Sequence, residues 1–142
     1  MKWLYCLLLV GLSLPLVSCV HETKGTQLTP QITYLQSQLS PKDLTQKTGN
    51  FLELYKGYNL SVRDLQEGLL VSDWVEDSLN QRHRVTVRIN QDLKGSMLTV
   101  HFEIQQTSDG QHWMEVPSNG LLESQMITEL KEQLRHSATF HQ

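Results

Sequence analysis

The chain has 142 residues, a formal net charge of −3 and a hydrophobic fraction of 39%, enough for one small domain with a single core. A mildly acidic balance with both signs mixed lacks the basic footprint that phosphate backbones demand, so nucleic acid is excluded as an expected partner. There are two cysteines, Cys6 and Cys19, and neither an internal repeat nor a low-complexity tract.

At the N-terminus Lys2 precedes an apolar run from Leu7 to Val17, interrupted by Pro15. That is the layout of a secretory signal. A membrane-spanning helix needs about 20 apolar residues, and this run is shorter. Leu16-Val17-Ser18-Cys19 resembles the lipobox of bacterial lipoproteins. The resemblance implies that residues 1–18 are removed and that Cys19 carries a diacylglycerol as the first residue of the mature chain. Cys6 leaves with the signal, so no internal disulfide is expected. A bare cysteine in an oxidising envelope would be a liability that acylation removes. Two or three acyl chains make such an anchor effectively permanent, at about 0.8 kcal/mol per buried CH₂. Val20, where an Asp would imply inner-membrane retention in Gram-negative members of this class, implies the outer membrane, and the expected orientation is toward the periplasm.

From Cys19 to Leu39 the chain reads as a polar tether followed by a short helix, with Thr29 as cap, Pro30 in the first turn and Ile32, Leu35 and Leu39 on one side. Ser40-Pro41-Lys42-Asp43 is a stronger start signal. Leu44, Thr48, Phe51, Leu52 and Tyr55 then follow at helical spacing, which predicts a helix over 41–56 closed by Lys56-Gly57. The period next changes to two. Tyr58, Leu60 and Val62 predict a first strand, and residues 64–68 a turn. Leu69 to Val75 predicts a second strand. Val85, Val87 and Ile89 predict a third, and Leu98, Val100, Phe102 and Ile104 a fourth, joined to the third by a loop over 90–95. Residues 113–116 suit one more short strand. Leu122, Met126, Ile127, Leu130 and Leu134 line a last helix to about Arg135, capped by Ser118 or Asn119, and residues 137–142 read as a flexible tail.

The expected fold is therefore a single α+β domain over 40–136: an antiparallel meander of about four strands with both helices packed on one face, of helix-grip type. The opposite face is expected to be polar and exposed.

Gly57-Tyr58, the run Glu67-Gly68-Leu69-Leu70-Val71-Ser72-Asp73-Trp74 and the strand Arg84-Val85-Thr86-Val87-Arg88 together look like BamC-like outer-membrane lipoproteins. The resemblance spans 40–136. It implies a non-catalytic envelope protein accessory to β-barrel assembly. This chain departs from that family in having one such domain, where BamC has two, and a short tether instead of a long clasping segment.

Arg82, Arg84 and Arg88 share the polar side of the third strand, where they suit docking to an acidic partner or lipid headgroups. The competing reading, preferred here, is cross-strand pairing with Thr99, His101 and Glu103. Trp113 follows a loop and is a candidate binding hot spot or core plug in equal measure. Trp74 reads as core or strand-end packing, and Glu123 as a first-turn carboxylate favoured by the helix dipole. The six histidines have no metal-ligand spacing, and strand parity puts His83 and His101 on opposite faces, so no metal or cofactor is expected. With no nucleophile elbow, phosphate loop or zinc-protease motif, an enzyme is not expected either. The leading expectation is a lipid-anchored interaction or scaffold module with an envelope protein as partner. The alternatives are a secretion-system pilot or subunit, or a carrier of small apolar ligands with its pocket among Phe51, Leu52, Phe102, Ile104 and Ile127.

Overall fold

The computed structural model describes residues 34–77 and 80–139, with side chains to residue 136. The signal, Cys19, the proposed tether up to residue 33 and residues 140–142 lie outside them. In chain order the elements are β1 (Tyr34–Ser37), α1 (Pro41–Asn50), a π-helical turn (Phe51–Tyr55), β2 (Leu60–Asp64), β3 (Leu69–Ser72), β4 (Val75–Glu76), β5 (Gln81–Asp92), β6 (Gly95–Gln106), β7 (Met114–Val116) and α2 (Leu121–Thr139).

The start of α1 follows from its first residues. Ser40 caps it, its Oγ accepting from the Asp43 N–H at 3.1 Å, and Pro41 occupies the first turn, where a missing N–H costs nothing. The helix widens into the π turn and stops at Gly57, which holds φ +71. β5 and β6 are both twelve residues long and pair continuously from Gln81↔Gln106 to Asp92↔Gly95. Only Leu93 and Lys94 remain as the loop, so the hairpin is tighter than the predicted loop over 90–95.

All pairings are antiparallel, in the order β1-β6-β5-β3-β2, with β4 alongside β5 and β7 alongside β6. One side of this sheet carries Leu35, Leu70, Val85, Val87, Ile89, Leu98, Val100, Phe102 and Ile104. These bury against Leu44, Phe51 and Leu52 from the first helical segment and Met126, Ile127 and Leu130 from α2, forming one core. Both helices thus lie on the same face, and an ion pair between Lys56 and Glu129 at 2.7 Å ties one to the other.

The class is α+β, as expected, but the sheet has seven strands and not four. Residues 34–37, expected to continue a helix from Thr29, pair with β6 from Tyr34↔Thr99 to Ser37↔Ser96 and bury Leu35. Four residues with a single buried apolar side chain give too little alternation to read. The strand expected over 69–75 divides into β3 and β4, because the Ser72 Oγ takes the place of a strand carbonyl and accepts from the Val85 N–H at 2.9 Å. α2 runs on to Thr139, past the expected end at Arg135.

Val85 lies opposite Phe102 in the central hairpin, and at this row the ladder is broken on both outer sides. Beyond Val85 the gap falls between β3 and β4; beyond Phe102 it falls between β1 and β7. Glu123 closes the second gap. Only 5% exposed, it accepts from the Phe102 N–H at 3.1 Å through Oε1 and from the Ser118 hydroxyl at 2.8 Å through Oε2. An orphaned buried N–H costs about 1–3 kcal/mol, so these two side chains do the work of a missing strand.

Candidate functional site

Strand parity sends Arg82, Arg84, Thr86 and Arg88 to the face of the sheet away from the helices, with Thr99, His101, Glu103 and Gln105 beside them on β6. Three of the chain's five arginines therefore share one side of one strand. The face is less uniformly polar than expected. Leu69 and Val71 of β3 and Val62 of β2 continue its rows, and Tyr34 of β1, 61% exposed, closes the far side.

At one end the arginines meet both tryptophans of the described chain. The Arg82 guanidinium lies against two indoles, 4.7 Å from the Trp74 ring and 4.3 Å from the Trp113 ring, while that of Arg84 stands 4.9 Å from the Trp74 ring. Trp113, Arg82, Trp74 and Arg84 thus form one cluster of cations and π faces, each contact contributing about 0.5–1 kcal/mol where half-exposed. Arg82 also donates from Nε to Gln105 Oε1 at 2.8 Å, and Arg84 donates from Nη2 to Glu103 Oε2 at 2.7 Å. The bond to Glu103, more than its charge, holds the Arg84 guanidinium protonated more firmly than usual. The Arg84 Nε is enclosed without an acceptor.

The sequence candidates divide accordingly. Arg84 takes the expected cross-strand partner, Glu103. Arg82 is gathered with Trp113, both half-buried, and Arg88 is exposed at the other end of the row. Trp74, expected to pack in the core or at a strand end, instead lies on the outer face. The split of β3 from β4 turns it opposite Arg84, and nothing in the residue pattern announces that break. Between Arg84 and Arg88 an open groove of about 650 Å³ runs over Leu69, Val71 and Thr86, with His101 and Glu103 along its side.

His83 and His101 lie on opposite faces, as parity requires. His83 points inward, its Nε2 at 3.1 Å from the Tyr58 hydroxyl and its ring edge-on to Tyr58 and tilted against Phe102. Burial lowers the His83 pKa against an opposing pull from Asp77, and burial with help from Glu129 raises that of Tyr58. Asp109 is held well below the ordinary carboxylate range by the His112 backbone N–H, then by the His112 ring at 2.6 Å and the Gln111 N–H. Its Oδ1 also accepts from Thr107, so this pair knits the loop before β7. Among the described residues no three His, Cys, Asp or Glu gather to hold a metal, and no helix is long and apolar enough to cross a membrane. No protein-family model matches the chain, and no curated protein matches it.

Proposed function

We propose that this chain is a lipid-anchored, periplasm-facing lipoprotein of the outer membrane, joined through Cys19, whose helix-grip type domain is a non-catalytic interaction module accessory to outer-membrane protein assembly, like the BamC-like proteins it resembles. The observation that carries the reading is the stack of Arg82 against Trp74 and Trp113 on the sheet face that the helices leave uncovered. Trp and Arg are the residues that dominate binding energy at protein interfaces, and stacking fixes their rotamers before any partner arrives. The burial of Phe51, Leu52, Phe102, Ile104 and Ile127 in one core weighs against an apolar-ligand pocket at those residues.

The test is crosslinking in living cells followed by pull-down from isolated envelopes, with Cys19→Ala and Trp113→Ala as comparisons. Recovery of barrel-assembly components with the native chain, lost in both variants, is the expected outcome. Recovery of secretion proteins, or of nothing, removes the assembly assignment.

A further inference from the structure

Arg82 and Arg88 are the two ends of the basic row, and their charges are not answered in the same way as that of Arg84. Arg84 is neutralised by Glu103. Arg82 spends its Nε on a neutral amide and stacks on two indoles, and no carboxylate among the described residues answers its charge. Glu76 stands opposite Arg82 in register, yet no ion pair joins them among the described residues. Arg88 is exposed and its side chain makes no bond among the described residues; the Thr99 hydroxyl donates to its backbone carbonyl at 3.4 Å.

We infer that this face binds an extended, acidic peptide segment of a protein partner, laid along β5 with carboxylates at Arg82 and Arg88. The inference rests on the interaction-module reading and names the chemistry of its partner. Six strand positions separate the two arginines, about 20 Å at the rise of an extended chain. A bound peptide in the same conformation matches them with acidic residues six positions apart, both pointing down onto the sheet because six is even. The groove between supplies an apolar floor at Leu69 and Val71 for the residues in between, and the Thr86 hydroxyl. Each guanidinium offers a carboxylate a charged, fork-shaped donor pair. The chain as a whole is acidic, net −3, and among the described residues Arg82 and Arg88 are the two arginines of this row that no carboxylate pairs. An anionic bilayer fits less well: a continuous anionic surface would also cover Glu76, Glu103 and Glu115, which interleave with the arginines on the same face, whereas a peptide places its charges at two points only, and the indoles are half-buried in the stack instead of raised for insertion.

The experiment uses the full lipidated protein in detergent micelles and fluorescein-labelled Ser/Val peptides carrying two Glu residues. Spacings run from four to eight positions, with a Gln version of each, and anisotropy is read at about 50 mM salt. Tightest binding is expected at spacing six, about tenfold over its Gln version and over the odd spacings, which put one carboxylate on the wrong side. Arg88→Gln, whose side chain makes no hydrogen bond or ion pair among the described residues, lowers that affinity about tenfold with circular dichroism unchanged, and Arg82→Gln lowers it as well. Absence of binding, equal binding at every spacing, or equal binding of the Gln peptide overturns the inference. So does phosphatidylglycerol-vesicle binding that Arg88→Gln abolishes while the peptides stay unbound. If the peptides fail but in-cell crosslinks remain sensitive to Trp113→Ala, the module reading stands and only the acidic peptide falls.

Discussion

Glu123 sits where an apolar residue would keep the stripe of α2 continuous, and the sequence shows a carboxylate there without showing its use. Its use lies across the chain, at the Phe102 N–H that neither β1 nor β7 reaches. No local pattern connects positions 102 and 123, so the dipole explanation was the natural one and described only half of the residue. The difference is measurable. Glu123→Ala leaves the Phe102 N–H and the Ser118 hydroxyl without their acceptor, and a loss of about 2–3 kcal/mol is expected in urea denaturation. Glu123→Gln retains one oxygen for Phe102 and should lose less than half as much. An alanine variant that unfolds at the native midpoint would mean that the carboxylate does not close the sheet. The arginines show the opposite balance. Parity alone put Arg82, Arg84 and Arg88 on one face and Glu103 within reach, but the second indole against Arg82 depends on how the chain turns between β3 and β4.

At the scale of elements, legibility followed length. β5, β6 and α2 each carry three or more periodic apolar positions, and all are readable; of the strands of two to four residues, β7 is anticipated by the short strand over 113–116, whereas β1 and β4 are not legible as strands of their own. Pairing over a long neighbour, not their own sequence, makes these short strands. Turn chemistry was legible too, because the turn at residues 64–68 needs a residue with positive φ at its end. Gly68 holds φ +64, and its N-terminal neighbours are tied by Asp64, whose Oδ1 accepts from the Gln66 and Glu67 N–H groups at 2.9 Å. A Cβ at Gly68 would fall 2.1 Å from the Ile89 carbonyl oxygen, whereas one at Gly57, φ +71, would meet open space. Gly57→Ala therefore pays only the left-handed backbone penalty, about 1–2 kcal/mol. Gly68→Ala must also push β3 off β5, and a loss of about 3 kcal/mol or more is expected. Thermal or urea unfolding of the two variants side by side decides it: equal losses would show that the contact with β5 is not rigid.

On the whole-molecule scale the sheet separates two tasks, with one face closed by both helices and the other carrying the arginines and tryptophans. The stability of the closed side has a pH signature. Burial depresses the His83 pKa below its ordinary 6.5, so below pH 6.5 the unfolded chain takes up a proton that the folded one resists. Stability is then at its full value above that pH, declines as pH falls toward the folded pKa, and levels once both states are protonated. Glu129, depressed from 4.5 chiefly by its bond from Lys56, acts lower. Its contribution is present above 4.5 and is lost as pH falls through the folded pKa. Acid unfolding should accordingly come in two windows, the first governed by the ring between Tyr58 and Phe102 and the second by the tie between the helices. Urea midpoints of the native chain should fall as the pH drops below 6.5, and His83→Phe should flatten that part of the profile while the loss governed by Glu129 below 4.5 persists. Lys56→Gln should do the reverse, sparing the first decline and shrinking the second. A His83→Phe profile that follows the native one through the upper window would place the titrating group elsewhere in the fold.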